Sequence, residues 1–240
     1  MKQLKNALAA VALLAGVATT AQAYTVDGVT WDPNAGTDFT SQSVNIRQFI
    51  DATTGVVSGF GVITAMNGNA NFCNNCQLTF QFGGLTPSVA GALPGGAGTS
   101  IIYSGGWVNF YAGAVRIANP FDYSQLTAAN TMTNTLWLGT TMANDFVGSV
   151  DASGQVLSGL GFLNVTGGNA ASYLNTNTQA NGTDLRFTSS FTFPWGPSLN
   201  DMSGTGNLFG KSVKIPEPAS LALVGLALVG LGLSRRKAAK

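Results

Sequence analysis

The sequence predicts a mainly β protein: an antiparallel β-sandwich or jelly-roll-like body, with an N-terminal signal-peptide helix and one C-terminal transmembrane helix. Three observations predict it. Much of the middle of the chain alternates apolar with polar residues at period two, as strands do when one face is buried and the other wet. The composition is poor in charge and rich in Gly, Asn, Thr and Ser, yet it holds 14 Phe. Such a chain suits polar turns around an aromatic core and is too apolar to stay disordered. Finally, each end carries an uncharged apolar run.

At the N-terminus, Lys2 and Lys5 precede an apolar run over 7–17, and Ala21-Gln22-Ala23 offers the small-x-small pattern for cleavage before Tyr24. This is a secretory signal peptide over 1–23, a substrate of the Sec export machinery and too short for a membrane span. The body, 24–213, has the length of one all-β domain of about 200 residues. Six of the basic residues (Lys2, Lys5, Arg235, Arg236, Lys237 and Lys240) sit in the two ends. In the stretch 24–215, Arg47, Arg116, Arg186, Lys211 and Lys214 face nine Asp, a net charge of about −4. A body without a basic patch is not built for nucleic acid.

Strand signals then follow one another. Residues 26–31 partly alternate; 44–50 and 78–82 alternate cleanly, and 185–193 does so for most of its length. Residues 101–111 and Leu136-Trp137-Leu138 add further strands, and 124–132 holds one short helix. Asp51-Ala52-Thr53-Thr54-Gly55 and Asp151-Ala152-Ser153-Gly154 read as hairpin turns. Gly83-Gly84 through Thr99, with Pro87 and Pro94, reads as a loop. One self-resemblance spans 51–70 and 151–170 without a gap, including Asp51/Asp151, Ser58/Ser158, Gly59/Gly159, Gly61/Gly161 and Gly68/Gly168. Glycine inside a strand marks a bulge or a close approach. The match is expected to place two long curved strands in equivalent positions of two sheets; a Gly/Asn/Ala-rich chain matching itself by chance is the alternative.

Candidate chemistry is sparse. The chain has no His, which removes Ser-His-Asp and Cys-His catalysis and His metal ligands together. Paired-carboxylate hydrolysis would have to use Asp, and Asp51 and Asp151 are better read as turn residues; the expectation is no enzyme and no cofactor. Cys73-Asn74-Asn75-Cys76 is the one cysteine pair, a local disulfide in an exported chain. A redox role would need a helix N-terminus, and zinc two more ligands. Asp32-Pro33-Asn34-Ala35-Gly36-Thr37-Asp38 has the start of a calcium loop, but Ser43 stands where the bidentate Glu belongs. Trp31, Trp107, Trp137 and Trp195, with Tyr103, Tyr111 and Tyr123, either fill the core or stack on sugars. Trp195, between prolines, is the one expected outside.

The last segment, 214–240, is the most specific. Pro216-Glu217-Pro218 precedes an uncharged run over 219–233, then Arg235-Arg236-Lys237. As a helix that run spans roughly 22–25 Å, a little under the hydrocarbon layer. The basic cluster can snorkel to the headgroups and favours the cytoplasmic side. Motif, apolar helix and cations in this order resemble the PEP-CTERM sorting signal of Gram-negative bacteria. The resemblance implies export, a transient inner-membrane anchor, processing by an exosortase, and delivery to the outer surface or extracellular matrix. Because exosortase systems accompany exopolysaccharide production, it also implies a structural or interaction role in matrix or biofilm, with exopolysaccharide as a partner. A carbohydrate- or calcium-binding lectin-like module is the alternative, followed by a surface hydrolase using Asp.

Overall fold

The computed structural model describes residues 23–34, 39–92, 95–132, 135–153, 156–192 and 201–213, together with Gly225, Ala227 and Leu228. Strands β1 (Tyr24–Val26) and β2 (Val29–Trp31) form a small hairpin. Ten more make one antiparallel sheet: β3 (Phe39–Ile50), β4 (Val57–Ala65), β5 (Gln77–Pro87), β6 (Ser100–Ser104), β7 (Trp107–Gly113), β8 (Thr135–Met142), β9 (Phe146–Val150), β10 (Val156–Gly167), β11 (Leu185–Thr192) and β12 (Met202–Gly210). β6 and β7 lie end to end along β5 in one register, Thr86↔Ser104 continuing Gly83↔Trp107. β9 and β8 also lie end to end along β10, but with the register shifted by two residues between Leu160↔Val147 and Leu163↔Met142. With each such pair counted as one bent strand, the sheet is a meander of eight. It closes where β12 pairs with β3, Met202 opposite Gln48 and Gly210 opposite Phe39.

The ring replaces the expected sandwich or jelly roll. Period-two alternation reports one buried face and is silent about what lies across it. Here the ladders β10–β11 and β12–β3 join what would have been the edges of two sheets, and closure leaves the ring without an edge. Two local expectations change as well. Residues 26–31 are a hairpin around Asp27 and Gly28, both at positive φ (51° and 84°), the left-handed pair that a two-residue turn demands. β5 runs on through Gly83-Gly84 to Pro87, with Gly84 at positive φ (72°), Trp107 of the adjoining strand packed on both glycines, and Thr86 and Pro87 paired with β6. The short helix expected over 124–132 is a 3-10 turn, Tyr123–Gln125, followed by α1 (Ala128–Thr131), whose Thr127 and Asn130 cap each other.

The interior is filled by rings lying where glycines leave room. A Cβ at Gly59 would strike Phe82, one at Gly61 would strike Phe80, and one at Gly159 or Gly161 would strike Phe146. This explains the self-resemblance: each Ser-Gly-x-Gly places two inward glycines beneath phenyl rings from a neighbouring strand. β4 and β10 stand opposite one another in the single ring, rather than in two sheets. Two interior gaps, of about 10 and 20 Å³, share Gln48, Leu85, Phe146, Ser189 and Phe191. Each has room for about one water molecule. Burial pushes the Tyr103 phenol up to about 12, and its hydroxyl has no hydrogen-bond partner among the described residues.

The outer wall is polar over much of its circumference. Ser100, Ser149, Ser158, Ser190 and Thr205 are exposed and stand directly opposite one another on successive strands. Beside them runs a shorter exposed row of Ile102, Val147 and Leu160. Apolar inside with hydroxyls outside is the reverse of a lipid-facing barrel. On the far wall, residues 115–132 lie over β3–β5. Asn45 Nδ2 donates to the Pro120 carbonyl (2.7 Å), Gln77 Nε2 to Ile117 (2.6 Å) and Gln81 Nε2 to Ala128 (2.7 Å). Val62, Ile117 and Leu126 form a second small core beneath this excursion.

Candidate functional site: the plugged pole and its tail

One pole of the barrel is stoppered by aromatic residues from distant parts of the chain. Trp31 of β2 meets Trp137 of β8 edge-on at 5.8 Å and Tyr173 of α2 (Ala171–Leu174) edge-on at 5.5 Å. Tyr24, the first residue of β1, lies 4.9 Å from the Tyr173 ring. Trp137 is fully buried, and its indole N–H donates to the Val26 carbonyl (3.1 Å), satisfying the polar edge that a buried Trp must place. The hairpin is tied from its other side, where the Thr30 N–H donates to Phe72 (2.7 Å) and Val29 bridges to Cys73. Cys73 is joined to Cys76, whose Sγ closes over Gly28, so that turn has no room for a larger residue.

Asp184 staples the same pole. It is 2 % exposed, yet its carboxylate accepts from the N–H groups of Val165 (2.8 Å), Thr176 (2.6 Å) and Asn177 (2.7 Å). Three backbone donors satisfy a buried carboxylate and fix the 175–184 connection over the end of β10. The body then finishes at this pole. Ser212 is buried, and the Val213 N–H donates to the Tyr173 carbonyl (2.8 Å). The residues that follow, 214–237, match the family model of the PEP-CTERM protein-sorting motif. The tail is a PEP-CTERM sorting signal. No curated protein and no solved structure matched the chain.

The PEP-CTERM motif carries with it export and exosortase-mediated, membrane-anchored sorting in a Gram-negative bacterium. Pro216, Glu217, Pro218, Arg235, Arg236 and Lys237 all fall within the matched stretch and outside the described residues, as does the transmembrane helix expected within 219–233 apart from Gly225, Ala227 and Leu228, which are helical. Among the described residues no helix is long and apolar enough to cross a membrane. The signal-peptide helix and Ala21 also lie outside them. Ala23 is exposed, and Tyr24 beside it opens β1, so the residues flanking the expected cleavage are the first that the structure describes.

The other singled-out residues are dispersed. Asp51 heads its turn, accepting from Thr53 N–H (2.9 Å), Thr54 N–H (2.7 Å) and Thr54 hydroxyl (2.9 Å), and these bonds hold its carboxyl below the usual range. Asp151 accepts from Ser153 (2.6 Å) in the matching turn. Asp32 accepts from the Asn34 N–H (2.8 Å) as a local turn, and Asp38 lies outside the described residues. No three of Cys, Asp or Glu gather at one place among the described residues. Of the tryptophans, Trp31 and Trp137 are core. Trp107 is 37 % exposed on the outer wall, and Trp195 lies outside the described residues. Sequence reasoning missed the Arg47–Asp201 pair, which joins residues 154 apart, and Asp184, whose donors are backbone N–H groups that carry no residue signature. It also passed over Asp27-Gly28, although Asp-Gly between apolar residues is a strong hairpin signal.

Proposed function

We propose that the chain is a non-catalytic component of the cell surface or extracellular matrix, delivered by its PEP-CTERM tail, that meets exopolysaccharide or neighbouring matrix molecules through the outer wall of its barrel. The observation that carries this reading is a sorting motif placed directly behind a barrel whose interior is filled with phenyl rings. The two gaps among the described residues that Phe146 and Phe191 line hold about one water each, which supports recognition at the outer wall. Asp32, Asp51, Asp122, Asp151 and Asp184 each serve a turn, a cap or a staple, which supports a role without hydrolysis.

A lectin-like reading is favoured by one observation. Trp107 stands exposed in a cross-strand row with Thr141 and Asn164, an aromatic face beside hydroxyl and amide groups. Aromatic faces with flanking hydrogen-bonding groups suit sugar rings. One experiment addresses both readings. Cells with and without the exosortase are fractionated, and matrix retention is compared for the native chain, Glu217→Gln and Trp107→Ala. Delivery is expected to fail without the exosortase or with Glu217→Gln; unchanged matrix delivery in both would overturn the sorted-component reading. Loss of retention in Trp107→Ala alone would favour the lectin.

A further inference from the structure

Both chain ends of the body leave from the plugged pole. Tyr24, the residue after the expected leader, packs its ring on Tyr173, and Val213 is bonded to the Tyr173 carbonyl. The sorting motif begins at 214, the residue after that bond. Five residues, 214–218, separate Val213 from the apolar run. Whatever its conformation, a chain advances at most 3.3–3.6 Å per residue, so Pro216 lies within about 11 Å of Val213 and the apolar run starting at Ala219 within about 22 Å. The opposite rim, formed by the turn at 51–55 and by 88–92, is a barrel length away, roughly 30 Å for tilted twelve-residue strands. Those two segments meet through the Gly91 N–H donating to Thr54 (3.2 Å).

We propose that, while its tail is in the membrane, the barrel stands with the plugged pole against the outer leaflet of the bilayer and turns the 51–55 and 88–92 rim outward. A tether of at most about 22 Å is shorter than the roughly 30 Å barrel, so the far rim cannot be turned to the bilayer and the plugged pole stays the nearer end. Before leader cleavage the second attachment acts at the same pole, so it adds no competing orientation. The occupant of the pole is the headgroup surface itself, because reach alone brings it there. The proposal rests on the sorting reading, and its test separates the two.

The test uses the full-length chain held in cells lacking the exosortase, with single cysteines added at Thr53→Cys on the rim and Ser172→Cys in α2. The native pair is disulfide-bonded and silent to maleimide. Fractionation comes first; spheroplasts are then labelled with a bulky polyethylene-glycol maleimide, before and after detergent. Thr53→Cys is expected to react equally fast in both states, and Ser172→Cys several-fold more slowly until detergent is added. Insertion of about twelve Gly/Ser residues after Val213 should abolish that protection by lengthening the tether. Lys211→Cys serves if Ser172→Cys fails to fold. Equal rates at the two sites in membrane-held chain overturn the orientation alone. Protection that appears only when the exosortase is restored assigns the pole to the enzyme and overturns the bilayer as its occupant. A chain found only in soluble fractions overturns the sorting reading and this proposal with it.

Discussion

A glycine in a strand ordinarily weakens it, yet Gly59, Gly61, Gly159 and Gly161 are what allow this barrel to have a filled centre. Each leaves the volume that a phenyl ring from the next strand occupies. Gly159→Val is therefore expected to cost about 1–3 kcal/mol through overpacking against Phe146 and the Ser189 hydroxyl. Gly96→Ala, with nothing within 4 Å of the added carbon, should stay within about 0.5 kcal/mol of the native protein. Thermal or urea unfolding of the two variants checks this; equal stabilities would refute the ring-over-glycine account. At this scale much was legible. Asp51, Asp151, the Cys73–Cys76 pair and the tail announced themselves because their chemistry is local in the chain. Asp184 did not, since its donors are defined only once β10 and the 175–184 connection have met.

Among the elements, the seam between β3 and β12 is fastened by an ion pair. Arg47 donates through Nε to Asp201 Oδ1 (2.8 Å) and through Nη2 to Oδ2 (2.6 Å), and its Nη1 reaches the Leu126 carbonyl (3.1 Å). The hydrogen bonds from Arg47 hold the Asp201 carboxyl below its usual value of 3.8. Because the folded value lies below the unfolded one, the pair stabilises the fold above pH 3.8. That contribution is lost as the pH falls through the depressed value. With side chains 25 % and 48 % exposed, it should amount to no more than about 1 kcal/mol. Native protein and Asp201→Asn are expected to differ by up to about 2–4 °C in Tm at pH 7 and to converge in strong acid. A difference that grows in acid would refute the pair's role. Strand positions were largely readable from alternation, but β5 beyond Gly83 was not, because its partners there, Tyr103 and Ser104 of β6, are defined only once the strands have met.

For the whole molecule, closure is what the sequence could not disclose. A strand with one wet face reads alike in a sandwich and in a ring, and only the pairings β10–β11 and β12–β3 distinguish them. The self-resemblance divides the ring into two four-strand halves, but each half alone would expose two long edges and an uncovered apolar face. Fragments 24–113 and 114–213 are therefore expected to remain unfolded or aggregate separately, while the whole body unfolds in one transition with coincident circular dichroism and fluorescence. A fragment with a cooperative melt of its own would show that the halves are independent domains.

The ladder between β3 and β12 also sets a clock. Its second strand ends at Gly210, four residues before the sorting motif. A chain threaded outward N-terminus first offers β3 early and β12 last, so the seam stays open until almost everything has crossed. Completion of the body and arrival of its anchor are thus nearly simultaneous, and a chain stalled any earlier would hang outside as an open sheet, inviting neighbours to supply the missing strand.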